Sequence, residues 1–131
     1  MAMTGPLLAP ATILVVDDSA DTRAVLSRTL GRRGYRVVEA ADGRQAVEVA
    51  LSVCPDLILM DLNMPVMDGL AATERIRELK ERCGDVAIVA VTAFDTYGMK
   101  EAATEAGCDA YLLKPLALDE LEAVVERLLA A

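Results

Sequence analysis

The sequence predicts a three-layer α/β sandwich, a five-stranded parallel sheet covered by helices on both faces. Two observations carry this expectation. Short β-branched runs alternate with longer helical patterns from Thr12 to the C-terminus, and the central runs are apolar at every position. Continuous apolarity is what a strand buried on both faces requires, and regular βα alternation joins parallel strands through right-handed crossovers.

The elements follow in order. Thr12–Val16 (TILVV) is the first strand, and Ser19 can cap a helix over 20–33 that Gly34 ends. Tyr35–Glu39 (YRVVE) is the second, and Asp42 can cap a helix over 43–53 stopped by Pro55. Leu57–Met60 (LILM) is the third, followed by a helix over 67–80. Val86–Val91 (VAIVAV) is the fourth, followed by an alanine-rich, weakly striped helix over 96–106 that Gly107 closes. Ala110–Leu113 (AYLL) is the fifth. The helix after it, over 118–129, has the clearest amphipathic stripe, with Leu118, Leu121, Val125 and Leu128 at helical spacing. Residues 1–10, with Gly5, Pro6 and Pro10, read as a flexible arm without the pattern of a secretory signal, which leaves 11–131 as one domain.

Composition narrows the function. At 131 residues and 54% hydrophobic the chain is long and apolar enough for one real core, while its uncharged stretches stop short of the ~18 residues of a membrane span. A formal charge of −8 repels polyanions, and four aromatic residues (Phe94, Tyr35, Tyr97, Tyr111) make no base-stacking platform. Direct nucleic-acid binding and membrane insertion are therefore not expected. Zero histidines remove His-based triads, proton shuttles and His-ligated metals. Cys54, Cys83 and Cys108 form no CxxC pair and lie far apart, so they are expected to be free thiols packed as small hydrophobes in a reducing cytoplasm. Neither GxxxxGK[ST] nor GxGxxG occurs, so nucleotide binding has no support.

In parallel α/β sheets, ligands bind at the carboxyl ends of the strands. The residues there are Asp17-Asp18 after the first strand, Asp61 after the third, Thr92 after the fourth and Lys114-Pro115 after the fifth. The second strand leads to Ala40-Ala41-Asp42-Gly43, a turn that needs no chemical role. Taken singly, each residue is ordinary: acids are common in loops, a lysine can be a solvated cation or half of an ion pair, and a threonine can simply end a strand. Together they are not. Three carboxylates brought into one cleft repel unless a cation compensates them, and an oxygen-only ligand set favours Mg²⁺ over Zn²⁺. Lys114 and Thr92 supply an ammonium and a hydroxyl suited to phosphoryl oxygens. The Lys114–Pro115 bond can be cis or trans.

These residues resemble the response-regulator receiver domains of two-component signalling. The motifs ILVVDDS, LILMDLNMPVMDG, VAVTAF and AGCDAYLLKP carry the resemblance, in that order, over roughly Thr12 to Leu129. It implies a flavodoxin-like sheet of order 2-1-3-4-5. It further implies that Asp61 is the phosphoacceptor, that Asp17 and Asp18 form the acid pocket, and that these three with the backbone carbonyl of Asn63 hold Mg²⁺. Thr92 and Lys114 would contact the phosphoryl group, and Thr92 with Tyr111 would form the switch. A half-buried strand tyrosine is an equally adequate reading of Tyr111 alone. The donor would be a phosphohistidine on a histidine kinase or histidine phosphotransfer protein, and the fourth helix, fifth strand and fifth helix would bind a downstream protein target.

The resemblance thus implies a cytoplasmic, stand-alone phosphoacceptor signalling domain, a monomer or a weak phosphorylation-dependent dimer, which assists its own phosphotransfer and dephosphorylation. The alternatives are a receiver fragment of a longer hybrid kinase or regulator, a receiver-like module that is never phosphorylated, and a Mg²⁺-dependent phosphatase with an aspartyl nucleophile. Against the phosphatase, its usual DxDxT reads DLNMP here, with Asn63 in the second acidic position. Asn63 and Phe94 are expected to tune the phosphoryl lifetime, since an amide can orient a hydrolytic water and an aromatic ring can exclude one.

Overall fold

The computed structural model describes residues 10–64, 66–79, 83–93 and 97–130. Among them, strands and helices alternate as β1 (Thr12–Val16), α1 (Ala20–Arg32), β2 (Arg36–Ala40), α2 (Gly43–Val53), β3 (Leu57–Asp61), α3 (Gly69–Arg77), β4 (Ala87–Thr92), α4 (Met99–Ala106), β5 (Ala110–Leu113) and α5 (Leu118–Ala130). The strands are all parallel and lie in the order β2-β1-β3-β4-β5. The expected arm falls almost wholly outside the described residues, as do Phe94 and the expected helical positions 80 and 96.

Side-chain alternation along the strands builds two cores. Leu14, Val16, Ile58, Met60, Ile88 and Ala90 point to one face, where Ala46, Ala50, Ala72, Ile76 and Ala103 of α2, α3 and α4 cover them. Ile13, Val15, Leu57, Leu59, Val89 and Val91 point to the other, against Leu26, Leu30, Leu121 and Val125 of α1 and α5. Leu121 and Val125 are fully buried, each worth roughly 1.5–3 kcal/mol of apolar transfer. Leu118 does not join them. It is 44% exposed at the start of α5, so the expected stripe begins at Leu121.

Pairing moves several strand ends from their expected positions. β2 starts at Arg36 because Arg36 pairs with Thr12, and its last residue, Ala40, enters through pairing with Val16. β3 and β4 run on to Asp61 and Thr92, which pair with Val91 and Leu113. The two residues expected just beyond their strands are therefore the last residues within them, held by a ladder on a neighbouring strand.

Helix starts are capped as their side chains allow: Ser19 accepts from the amide of Thr22, Asp42 from that of Gln45 and Asp68 from that of Ala71. Arg77, the last residue of α3, donates to the carbonyls of Gly84, Val86 and Gly107 and pairs with Asp109 at 2.9 Å. One guanidinium thus ties α3 to the segment entering β4 and to the end of α4.

The expectation of three free thiols is corrected. Cys54 and Cys83 are joined by a disulfide, their Cα atoms 5.3 Å apart, within the usual range for a bridge. The reason is topological. Leu57 of β3 pairs with Ala87 of β4, so the residues a few places before each strand meet although 29 positions separate the cysteines. Cys108 is the free cysteine among the described residues.

Candidate functional site

The carboxyl ends of β1, β3, β4 and β5 bring together five of the expected residues, Asp17, Asp18, Asp61, Thr92 and Lys114. Asp17, directly after β1, is 3% exposed. Its amide donates to the Ala40 carbonyl at 3.1 Å, its Oδ1 accepts from the Ser19 amide at 2.8 Å, and its carbonyl accepts from Arg23 at 2.8 Å. Asp18 is exposed beside it. Asp61, at the end of β3, is as buried as Asp17, and its Oδ1 accepts from the Asn63 amide at 3.1 Å. One carboxylate oxygen from each of Asp17, Asp18 and Asp61 lies within 4.8 Å of the others.

Lys114 reaches this cluster from the end of β5, where its amide donates to the Thr92 carbonyl at 2.8 Å and its bond to Pro115 is cis. Its Nζ lies 2.8 Å from Asp17 Oδ2 and 3.5 Å from Asp61 Oδ2. Thr92 is fully buried, and its Oγ1 accepts from Asn63 Nδ2 at 2.8 Å. The Asn63 side-chain amide, expected to orient a water, donates this one hydrogen bond to the side chain of Thr92. Tyr111 is partly buried against the core under α2, α3 and α4.

The site is short of positive charge. Burial pushes the Asp61 carboxyl above its ordinary range and the charge of Asp17 adds to this, while the Asn63 amide and Lys114 partly offset it. For Lys114, burial favours the neutral amine, but the hydrogen bond to Asp17 and the charges of Asp61 and Asp17 outweigh it and raise the ammonium. Three carboxylates face one ammonium, an excess equal to the charge of one divalent cation. The all-oxygen donor set fits a hard ion such as Mg²⁺.

Sequence reasoning missed two glycines that hold the loop between β3 and α3. A Cβ on Gly69 would lie 2.2 Å from the carbonyl oxygen of Asp61, and one on Gly43 would lie 2.2 Å from that of Met67. Neither side-chain-free approach admits another residue, so the turn after β2, assigned no chemical role, positions the Asp61 loop through the Gly43 amide on the Met67 carbonyl at 3.1 Å. The available signal was the repeated Asp-Gly at 42–43 and 68–69, each opening a helix. Val66 in the same loop has φ 71 and is 78% exposed, an uncommon backbone state for a β-branched residue.

Beside Lys114 a cavity of about 320 Å³ runs between α1 and the entry to α5, lined by Thr22, Val25, Leu26, Lys114, Leu116 and Leu118 among others. Val25 is 53% exposed there.

The sequence pattern of the response regulator receiver domain matches residues 13–126. The chain belongs to the response regulator receiver domain family. Among curated proteins, this receiver domain is 42% identical over 120 residues to response regulator MprA of Mycolicibacterium vanbaalenii, covering 92% of this chain and 51% of that protein. It is 40% identical over 117 residues to transcriptional regulatory protein PrrA of Mycobacterium tuberculosis, covering 89% and 49%. The chain spans about half the length of the curated relatives it matches.

Among solved structures, the receiver domain of sensor histidine kinase PA1611 from Pseudomonas aeruginosa, described with a magnesium ion in its active site cleft, superposes with a TM-score of 0.85. It is 39% identical, over 94% of this chain and all of that one. The chemotaxis protein CheY4 of Vibrio cholerae superposes with a TM-score of 0.85 at 33% identity, over 92% and 99% of the two chains. The expected flavodoxin-like order 2-1-3-4-5 is the order observed here.

Proposed function

We propose that this receiver domain, running over residues 11–131, accepts a phosphoryl group on Asp61 from a phosphohistidine of a histidine kinase or histidine phosphotransfer protein. The observation that carries the reading is the single cleft in which Asp17, Asp18 and Asp61 bring their oxygens within 4.8 Å of one another beside the Lys114 ammonium. Asp17, Asp18, Asp61 and the backbone carbonyl of Asn63 would hold Mg²⁺. That ion, when bound, neutralises the excess negative charge so that an anionic phosphoryl group can approach a carboxylate.

The remaining steps belong to the chain's own residues. An oxygen of Asp61 attacks the phosphorus and the imidazole leaves, with no proton to be removed from the nucleophile. Lys114, held by Asp17, pairs with an oxygen of the incoming group. Thr92 leaves Asn63 and turns its hydroxyl to another phosphoryl oxygen. Tyr111 and α4 follow that movement, and the face formed by α4, β5 and α5 changes its affinity for a downstream protein target or a linked output domain. Asn63 and Phe94 are proposed to tune the lifetime of the aspartyl phosphate.

The domain assists its own phosphotransfer and dephosphorylation and is proposed to work in the cytoplasm as a monomer or weak phosphorylation-dependent dimer. Among the described residues no helix is long and apolar enough to cross a membrane. Incubation with Mg²⁺ and acetyl phosphate, read by intact mass, tests the reading. One phosphoryl adduct is expected on the wild type and none on Asp61→Asn or in excess chelator; an undiminished adduct in either would overturn it.

A further inference from the structure

The Cys54–Cys83 pair lies at the amino ends of β3 and β4, the edge of the sheet opposite the acid cleft. Its two members are unequal. Cys54 caps α2 in the left-handed region (φ 50) and is exposed, whereas Cys83 is 4% exposed. They share a cleft of about 300 Å³ with Pro55, Asp56, Asp85 and Val86. Asp56 and Asp85 are both exposed, and Asp56 is fixed at the rim by accepting from the Thr12 amide at 2.7 Å. An exposed cysteine paired with a buried one is the arrangement of an attacking and a resolving thiol.

We propose that Cys54 and Cys83 form a reversible dithiol–disulfide pair, oxidised by an uncharged or cationic low-molecular-weight disulfide, and that closing it steadies the end of α4. Thiol–disulfide exchange balances in two steps. The Cys54 thiolate attacks one sulfur of the small disulfide, forming a mixed disulfide and expelling one thiolate. The Cys83 thiolate then attacks the Cys54 sulfur and expels the second. The protein loses two electrons and two protons, and the small disulfide becomes two thiols. Among the described residues the charges lining this cleft are those of Asp56 and Asp85, which disfavour an anionic reagent, an effect that salt screens. A reversible pair also accounts for a bridge in a domain proposed to work in the cytoplasm, where permanent disulfides are rare.

Among the described residues the side chain of Arg77 links this pair to α4. Gly84, next to Cys83, offers its carbonyl to Arg77 Nη1 at 2.7 Å, and the same guanidinium binds the Gly107 carbonyl through Nε at 3.0 Å and Nη2 at 2.6 Å. Gly107 is the C-cap of α4. Closing the bridge anchors Gly84 and, through Arg77, the carbonyl that ends this helix.

The test uses the full chain, reduced and then treated with cystamine or oxidised glutathione, followed by intact mass and peptide mapping. Cystamine is expected to return the wild type lighter by two hydrogen atoms with Cys54 joined to Cys83, several-fold faster than oxidised glutathione at low salt, the gap narrowing as salt is added. Cys83→Ser should hold a cystamine adduct on Cys54, and Cys54→Ser should form neither product at these positions in the same time. The closed form should melt about 5–10 °C higher and exchange amides at Ala103–Gly107 several-fold more slowly, a difference that Arg77→Lys reduces. A stable Cys54 adduct in the wild type, equal rates with the two reagents at low salt, or equal exchange at Ala103–Gly107 in both states would overturn the proposal. None of these readouts depends on phosphorylation.

Discussion

Lys114 is bound to Asp17 and only leans on Asp61: its Nζ stands 2.8 Å from an oxygen of the first and 3.5 Å from an oxygen of the second. The proposed nucleophile is thus the less engaged partner of the ammonium, while Asp17, locked by Ser19 and Arg23, anchors the lysine. The two acids are equally buried but are not interchangeable.

That asymmetry predicts different costs for removing the acids. Asp17→Ala should destabilise the metal-free protein by about 2–3 kcal/mol, because it leaves a half-buried ammonium and the Ser19 amide without their acceptors. Asp18→Ala, at an exposed position, should change stability by less than about 0.5 kcal/mol. Both should weaken Mg²⁺ binding. Urea unfolding without metal and a Mg²⁺ titration separate the effects, and equal destabilisation by both variants would contradict the anchoring role of Asp17.

The contribution of Asp61 to stability should fall with rising pH in the acid range, opposite to the usual behaviour of a carboxylate. Burial holds Asp61 above its ordinary value of 3.8, so the folded state binds more protons than the unfolded state from that value up to the raised one. The slope of this contribution with pH is negative there. For Lys114, raised above 10.5, the contribution is present below that value and lost as pH rises through the folded value. Metal-free urea midpoints measured upward from about pH 4 should move less favourably with rising pH in the wild type than in Asp61→Asn, and Mg²⁺ should oppose that difference.

Thr92→Ala should leave acceptance from acetyl phosphate largely intact but uncouple it from Tyr111. The hydroxyl that Asn63 holds at 2.8 Å is the group proposed to move, and an equilibrium shifts only through differential contacts in its two states. Amide spectra from Tyr97 to Lys114 with and without beryllofluoride read the outcome. A full wild-type response in the variant would remove Thr92 from the switch.

Gly69→Ala and Gly31→Ala should move stability in opposite directions. At Gly69 the new methyl would meet the Asp61 carbonyl at 2.2 Å, a backbone atom that cannot give way, whereas at Gly31 there is nothing within 4 Å. A loss of at least about 2 kcal/mol, together with slower phosphorylation, is expected for the first. A gain of about 0.5–1 kcal/mol is expected for the second, inside α1. Thermal melts decide both.

Val25→Asp should slow phosphotransfer from a partner protein by about tenfold or more while sparing acetyl phosphate. Val25 is 53% exposed in the apolar cavity beside Lys114, where a protein donor approaching Asp61 can bury it and a small donor need not. Equal slowing with both donors would place the effect in the chemistry instead of in docking.

The order of the elements, the five βα units and the acids at the strand ends were legible in the sequence, because each depends on periodicity or on a neighbour in the chain. Apolar runs bounded by Ser19, Asp42, Gly107 and Pro55 are local facts, and local energetics carry them into strands and caps. What joins distant segments was not legible. Asp61 and Thr92 became strand residues only through their partners Val91 and Leu113. Cys54 met Cys83 only because β3 and β4 pair from their starts, and Asn63, two residues past β3, met Thr92 because β3 and β4 end side by side. Gly43 and Gly69 had no visible task until the loop backbone was packed against them. A period gives the face on which a residue lies, but register and close approach are set by the crossovers that bring two strands together, and these are properties of the packed chain alone.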